Sequence, residues 1–246
     1  MSAIDFSLVT SIRIPNGDVS KISKFDGENE TVLWELSNDS ITYFDSEEGY
    51  NGQSGAGTYT FNLKRGTYTI IVVGCGGDGS ASRSIDLSDY ANRYMTVGGG
   101  SGAYCKCNLT ITKNSTITII NQNLNTDTDN YIFSTISVDG NTVLSVPSGK
   151  AGYASINYLG QTSNKIGYGG LASSITYNQT YITIVETKDG ANGGVGSDGG
   201  YYGSYIDETA SSYTNGLGRG RGAMSYYSQG YGPFGENYRG YIKISQ

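Results

Sequence analysis

The sequence predicts an all-β protein with a small N-terminal β-meander followed by a glycine-rich β-sandwich. Three observations predict this fold class. The 246 residues include 37 Gly and 22 Tyr, and only 15% are charged, a composition that favours turns and strands over helices. Apolar and polar residues alternate over many short runs, which is the pattern of half-buried strands. Glycine, asparagine and aspartate lie between these runs, where turns are expected.

Residues 1–50 form the predicted N-terminal module. Alternating runs at 9–14 and 19–25 precede the turn signals Asn16-Gly17 and Asp26-Gly27, and a third apolar run at 32–34 closes a meander of about three strands. Three short strands bury too little apolar surface to be very stable alone. We therefore expect this module to pack on a partner chain or on the next domain.

Residues 51–246 form the predicted glycine-rich domain. Its clearest strands lie at 58–63, 67–73, 103–112, 115–121, 180–186 and 240–246. Weaker strand signals lie at 131–138, 142–146 and 154–158, and residues 188–239, where Gly recurs among Tyr, Ser, Asn and Asp, are assigned to loop. Many short strands with long end loops predict a sandwich of the jelly-roll or TNF-like kind.

The charge pattern argues against nucleic-acid and membrane partners. The net charge is −6 and no basic run is present, so the overall field repels nucleic acid and anionic lipid. No segment approaches membrane-spanning length, and the N-terminal residues lack the pattern of a signal peptide. We expect no nucleic-acid binding, no membrane insertion and no cleaved signal peptide.

The segment Gly74–Gly79 matches the G-x-G-x-x-G pattern of dinucleotide-binding folds directly after a strand. That fingerprint requires a helix next, but residues 80–89 are rich in Ser and Asp, and Ile85 and Leu87 are not at helical spacing. We instead expect a loop whose glycines adopt positive φ angles and permit close backbone contacts.

Two other patterns are weak evidence for ligands. Gly216–Gly222 resembles a fragment of an arginine-glycine RNA-binding tract, but a single copy in an acidic chain does not predict RNA binding. Cys75, Cys105 and Cys107 lack a fourth thiol or any histidine to complete a zinc site, and we expect them to be reduced. No cofactor and no metal are predicted.

The sequence does not predict an enzyme. Without histidine the chain cannot form a Ser-His-Asp or Cys-His relay of its own. Glycosidases need two carboxyl groups across a cleft, and pairs are available, but acidic residues in Gly and Ser loops are usually solvated or form turns. The candidate pairs are Asp86 with Asp89, Asp127 with Asp129, and Asp207 with Glu208.

Tyrosines in the glycine loops are the best candidates for a binding site. A tyrosine offers a flat apolar face and a hydroxyl at low entropic cost, which suits contact with sugars or proteins. Packing of the loops onto the sandwich, or burial between subunits, would also explain these rings. The predicted receptor-binding residues are Tyr201, Tyr202, Tyr205, Tyr213, Tyr226, Tyr227 and Tyr231.

The layout of residues 52–246 resembles the glycine-rich domain of bacteriophage tail fibres, baseplate proteins and adhesins. The resemblance lies in the run from Tyr59 to Gly79, in Gly98–Thr112, and in the closing Gly240-Tyr-Ile-Lys-Ile. Residues 12–22 with Val32-Leu-Trp also look like short phage tail modules. Adhesins of this kind often stack polyglycine helices, and Gly98–Gly102 and Gly190–Gly203 could supply short pieces of such a bundle.

The resemblance implies a structural virion protein that recognises a host surface. Residues 1–50 would attach to other virion proteins, and the glycine-rich domain, in a homotrimer, would present loops to a host cell-surface glycan or protein. The expected location is the phage particle, assembled in the host cytoplasm. The alternatives are a purely structural virion subunit such as a head fibre or decoration protein, a polysaccharide depolymerase, and a bacterial surface protein.

Overall fold

The computed structural model describes residues 12–14, 17–19, 21–26, 29–35, 42–47, 54–85, 92–157, 159, 161–196, 222–226, 230–234 and 238–246. The chain divides into two compact units, residues 1–41 and 42–246. The larger unit begins before residue 51, where the sequence predicts its start, because the strand Thr42–Asp45 pairs with the C-terminal strand.

The smaller unit contains two antiparallel hairpins. Strand β1 (Ile12–Ile14) pairs with β2 (Gly17–Val19), and β3 (Lys21–Asp26) pairs with β4 (Asn29–Glu35). The hairpins close between Ile14 and Gly17 and between Asp26 and Asn29, beside the predicted turn signals Asn16-Gly17 and Asp26-Gly27, of which Asn16 and Gly27 lie outside the described residues. Strands therefore occur where the sequence predicts the meander, but they pair as two hairpins.

The larger unit is a β-sandwich of two five-stranded antiparallel sheets, which confirms the predicted all-β class. The strands of the first sheet, in spatial order, are β17 (Ile182–Lys188), β10 (Tyr104–Ile111), β7 (Gly66–Val73), β21 (Tyr241–Ser245) and β5 (Thr42–Asp45). Those of the second sheet are β16 (Thr176–Tyr177), β13 (Asn141–Pro147), β12 (Phe133–Val138), β11 (Ser115–Asn121) and β6 (Gly57–Leu63).

The core lies between the two sheets because every second residue of their strands faces inward. Tyr68, Ile70 and Val72 of β7 face the core from the first sheet, and Ile117 and Ile119 of β11 face it from the second. These five side chains are almost fully buried. The alternation seen in the sequence thus corresponds to the two faces of each sheet.

The two ends of the sandwich differ, and we call the end with the short connections the turn end. Three tight turns lie there, between β6 and β7, β10 and β11, and β12 and β13. Asp139 and Gly140 have φ angles of 48° and 81°, the paired positive values of a type I′ hairpin turn. The backbone N–H of Arg65 donates to Asn114 at 3.2 Å, which ties two of the turns together.

We call the opposite end the glycine end, since long glycine-rich connections leave the sandwich there. Val73, Tyr104, Lys188 and Tyr241 lie side by side across the first sheet at this end. Thr42, where the chain enters the sandwich, pairs with Ser245 away from this end. Ser245 in turn pairs with Thr69, halfway along β7, so the chain enters at the middle of the sheet edge and runs from there toward the glycine end.

The glycine connections carry further strands, which we call the tip. They are β8 (Ser80–Ile85), β9 (Asn92–Val97), β14 (Tyr153–Ile156), β15 (Thr162–Lys165), β18 (Val195–Gly196), β19 (Gly222–Tyr226) and β20 (Gly230–Phe234). The assignment of all of 188–239 to loop is therefore wrong, and residues 80–85 also form a strand. Small and polar residues make up most of these strands, so their apolar alternation is weak, and of them β14 overlaps the predicted strand signal at 154–158.

Candidate functional site

A bundle of five glycine-rich segments lies between the sandwich and the tip. The segments are residues 74–79, 98–103, 148–152, 167–170 and 190–194, and each follows or precedes a strand at the glycine end. Each has two glycines three positions apart, the repeat of a polyproline II-type helix. These pairs are Gly74 and Gly77, Gly99 and Gly102, Gly149 and Gly152, Gly167 and Gly170, and Gly190 and Gly193.

Backbone hydrogen bonds join one segment to the next. The N–H of Gly77 donates to the carbonyl of Gly100 at 2.8 Å, and the N–H of Gly100 donates to Lys150 at 3.0 Å. The N–H of Lys150 in turn donates to Tyr168 at 2.8 Å. Because a helix of this type has no internal hydrogen bonds, its polar backbone groups must find partners on neighbouring segments. The segments therefore form a hydrogen-bonded bundle with the glycine spacing of polyglycine helices. It includes Gly98–Gly102 and residues 190–194 of the predicted piece Gly190–Gly203, whose residues 197–203 lie outside the described residues.

Glycine is required in the bundle because there is no room for a side chain. A Cβ added at Gly74, Gly77 or Gly102 would lie less than 3.0 Å from a carbonyl oxygen of an adjoining segment. The glycines described with positive φ angles are Gly55, Gly57 and Gly140, all outside the bundle. The close approach expected for Gly74–Gly79 is therefore confirmed, whereas the positive φ angles expected there are wrong.

Asn125 connects the bundle to the loop between β11 and β12. It is almost fully buried, and its Nδ2 donates to the carbonyls of Asn130 and Gly149 at 2.8 Å and to Ser148 Oγ at 2.9 Å. Its backbone N–H donates to Gly76 at 2.9 Å. Sequence reasoning missed this residue, since an Asn in a polar loop usually indicates only a turn.

Charged and aromatic side chains line one flank of the bundle. Lys150 Nζ lies 4.4 Å from the centre of the Tyr131 ring, and the Tyr131 hydroxyl donates to Gly169 at 3.1 Å. Burial raises the pKa of Tyr131. Asp129 forms an ion pair with Lys165, and that contact holds the pKa of Asp129 below its usual value. The flank thereby ties the loop of Asp129 to the tip strand β15.

The tip has a small apolar core of its own. Met95 and Val97 of β9 pack with Ala154 and Ile156 of β14. The hydroxyls of Ser80 and Ser82 accept the backbone N–H groups of Ala154 and Ile156, at 3.1 and 3.0 Å. These contacts fix the β14–β15 hairpin against β8 and β9.

Two large side chains of this hairpin face solvent. Tyr153, the outward-facing first residue of β14, is 47% exposed, and Leu159 in the connecting turn is 54% exposed. Tyr153 stands opposite Lys165 on the same face of the hairpin. The arrangement offers an aromatic ring beside a cation on a rigid support, a surface suited to stacking and hydrogen bonding.

The predicted tyrosines are only partly covered by the described residues. The backbones of Tyr226 and Tyr231 lie in β19 and β20, a hairpin that contacts β8 and β9 in the tip. Tyr201, Tyr202, Tyr205, Tyr213 and Tyr227 lie outside the described residues.

The candidate carboxylate pair Asp127 and Asp129 stabilises its own loop. Asp127 accepts hydrogen bonds from the backbone N–H groups of Asp129 and Asn130 at 2.7 and 2.9 Å, and these lower its pKa. Both carboxylates are exposed on a turn. Asp86, Asp89, Asp207 and Glu208 lie outside the described residues.

The three cysteines are free and buried. Cys105 and Cys107 face the sandwich core from β10, and a hydrogen bond to Cys105 together with burial raises the pKa of Cys107. Burial raises the pKa of Cys75 to about 12. Over the described residues, no group of three or more His, Cys, Asp or Glu side chains could hold a metal ion. No helix within the same residues is long and apolar enough to cross a membrane.

Comparisons with known proteins give no relative. No family model, no curated protein and no solved structure matches the chain.

Proposed function

We propose that the chain is a non-enzymatic structural protein of a bacteriophage tail, of the fibre, baseplate or adhesin kind, which recognises a host cell surface. The smaller unit, residues 1–41 of the predicted module 1–50, attaches it to other virion proteins, and the tip meets the host. The observation that carries the proposal is the polarity of the larger unit. The chain enters it away from the glycine end, and the bundle and tip extend from the glycine end.

The bundle supports this role because it is a rigid spacer. Its backbone groups are hydrogen-bonded between segments, and its glycines let the segments pack with their backbones in direct contact. Loops on a rigid scaffold are the usual place for binding residues. Changes in the tip can therefore alter recognition without disturbing the sandwich.

The proposed ligand is a host-surface glycan or protein. Contact would come from the exposed Tyr153 and Leu159 and from the tyrosines assigned from sequence, among them Tyr226 and Tyr231 in the tip hairpin. A homotrimer, and several copies on one particle, would raise the effective concentration, so each site can be weak.

The test compares tip variants with matched sandwich variants in binding to a panel of intact bacteria. The tip variant carries Tyr153→Ala and Leu159→Ala. The control carries Tyr177→Ala and Val185→Ala, since these side chains are similarly exposed, at 42% and 55%, but lie on the edge strands β16 and β17. A third variant carries Tyr201→Ala, Tyr202→Ala, Tyr226→Ala and Tyr227→Ala.

We expect labelled wild-type protein, of measured oligomeric mass, to bind some cells saturably. The tip variants should lose at least tenfold in affinity, about what loss of one or two well-packed contacts costs. The control should bind like wild type. Absence of wild-type binding across the panel, or equal loss in the control, would instead favour a purely structural virion subunit.

A further inference from the structure

The outer face of the second sheet carries an array of uncharged side chains, which we call the threonine face. Its residues follow from the strand registers, each being an outward position of a paired strand. They are Thr58, Thr60, Asn62, Thr116, Thr118, Ile120, Phe133, Thr135, Ser137, Thr142, Ser145 and Thr176. None of them carries a charge, and all are at least partly exposed to solvent.

Hydroxyl groups on this face form rows across the strands. One row crosses β6, β11, β12 and β13, and each of its residues is paired with the next: Thr60, Thr118, Ser137 and Thr142. The Thr60 and Thr118 hydroxyl oxygens are 3.5 Å apart, and those of Ser137 and Thr142 are 3.3 Å apart. Neighbouring strands are about 4.8 Å apart, so the side chains within one row are regularly spaced.

The outer face of the first sheet is different. Lys106, Lys243 and Asp45 lie in one row of it, and Glu186 and Lys188 extend the charged surface on the edge strand β17. Lys243 pairs with Asp45 at 3.4 Å, and Lys188 pairs with Glu186 at 3.0 Å. Charge is thus concentrated on one outer face of the sandwich and is missing from the other.

We propose that the threonine face is the surface by which copies of this chain associate. Copies with a net charge of −6 repel each other, so their contact costs least where neither surface carries charge. A hydroxyl is both donor and acceptor, so one row of hydroxyls complements an identical row, as rows of carboxylates or ammonium groups cannot. Ile120, 40% exposed, and the threonine methyl groups supply apolar area.

The face can meet its own copy across a twofold axis, or three copies can line a threefold axis with it. This association rests on the proposed function, because the threonine face would be the surface through which the proposed oligomer assembles. Its test requires no receptor, so the two can fail separately. Failure of cell binding leaves the association measurement unaffected.

The experiment uses opposite charges at the centre of the face. Thr135 lies in the middle of β12, the central strand of the sheet, and is therefore close to the other copy for most rotations of one face on the other. The variants are Thr135→Lys and Thr135→Glu in the full chain. The matched control is Thr110→Lys, an exposed threonine on β10 of the other sheet.

Sedimentation equilibrium measures association, and thermal unfolding checks that each variant is folded. We expect wild type and Thr110→Lys to be oligomeric. Each Thr135 variant alone should associate at least tenfold more weakly, because like charges would be buried in contact. An equimolar mixture of the Lys and Glu variants should recover association, since the opposite charges then meet.

Two results would overturn the proposal. One is a wild-type protein that stays monomeric at every concentration reached. A monomeric protein whose threonine face binds a neutral polysaccharide would count as the same result. The other is unchanged association of folded Thr135→Lys and Thr135→Glu.

Discussion

Individual glycines in this protein serve different physical purposes. Gly140 has a positive φ and open space around it, so it is needed for turn conformation. Gly102 has an ordinary φ but no space, since the Gly74 carbonyl occupies the position of a side chain. The same residue type therefore marks a turn at one position and close backbone packing at another.

Substitution of Gly102 tests the packing of the bundle. We expect Gly102→Ala to lower the free energy of unfolding by about 3 kcal/mol or more, because a backbone segment must move to admit the methyl group. The control is Gly66→Ala in β7, where a Cβ would meet only the Tyr68 ring at 3.5 Å. That change should leave stability unchanged or raise it by up to about 1 kcal/mol. Chemical denaturation measures both, and a Gly102→Ala protein as stable as wild type would contradict the bundle packing.

The carboxylate of Asp139 makes stability depend on pH. The backbone N–H of Thr116 donates to it at 2.9 Å, and Ser115 and Lys113 approach it at 3.2 and 3.4 Å, which lowers the pKa of Asp139. A pKa lowered on folding stabilises the protein above the unfolded value, and that contribution is lost as pH falls through the folded value.

Asp139→Asn keeps a side chain that tolerates the positive φ but removes the charge. We expect it to be less stable than wild type at neutral pH, with the difference narrowing as pH falls below 3.8, the ordinary value for Asp. Unfolding curves from pH 7 to acid would measure this. A difference that does not change with pH would show that the charge is not the cause.

Among the strands, the C-terminal strand β21 lies inside the first sheet, between two neighbouring strands. It is hydrogen-bonded to β7 on one side and to β5 on the other, and Ile242 and Ile244 are fully buried in the core. Asp45 in β5 accepts the Tyr241 hydroxyl at 3.0 Å and pairs with Lys243. The first sheet is therefore completed by the last residues of the chain.

Removal of residues 241–246 should abolish folding. Each lost isoleucine costs about 2 to 5 kcal/mol, and the lost strand also leaves the backbone of β7 unpaired, against a total stability of about 5 to 15 kcal/mol. Deletion of Gln246 alone, which is exposed and bonded to the Tyr43 hydroxyl, should leave a folded protein. Soluble yield and circular dichroism distinguish the two deletions. A folded, soluble 1–240 chain would show that β21 is not needed to complete the first sheet.

For the larger unit as a whole, the division into turn end and glycine end matters most. Tight turns at one end close the sandwich with few residues, whereas the connections at the other end are long enough to build the bundle and the tip. Antibody variable domains likewise cluster their binding loops at one end of a sandwich. The cell-binding experiment with the tip variants therefore probes the glycine end, and the association experiment with the Thr135 variants probes the side of the sandwich.

Some of this architecture follows from sequence alone. In β6, β7, β10 and β11 the alternation of apolar and polar residues records which side of each strand is buried, and that record is local. The all-β class and the main hairpins could therefore be predicted. Apart from β14, which overlaps the weak signal at 154–158, the strands of the tip were not predicted, because small and polar residues leave too little alternation.

The bundle, the role of Asn125 and the threonine face depend on tertiary structure. A polyglycine segment makes no hydrogen bonds within itself, so its partners are set by other parts of the chain, as when Gly98 donates to Gly194. The threonine face likewise needs the register of five strands before its uncharged rows exist. The sequence by itself determined most of the sandwich strands, because their burial is recorded in local alternation. Only the tertiary structure decided that β5 and β16 complete the two sheets and what the glycines between the strands build.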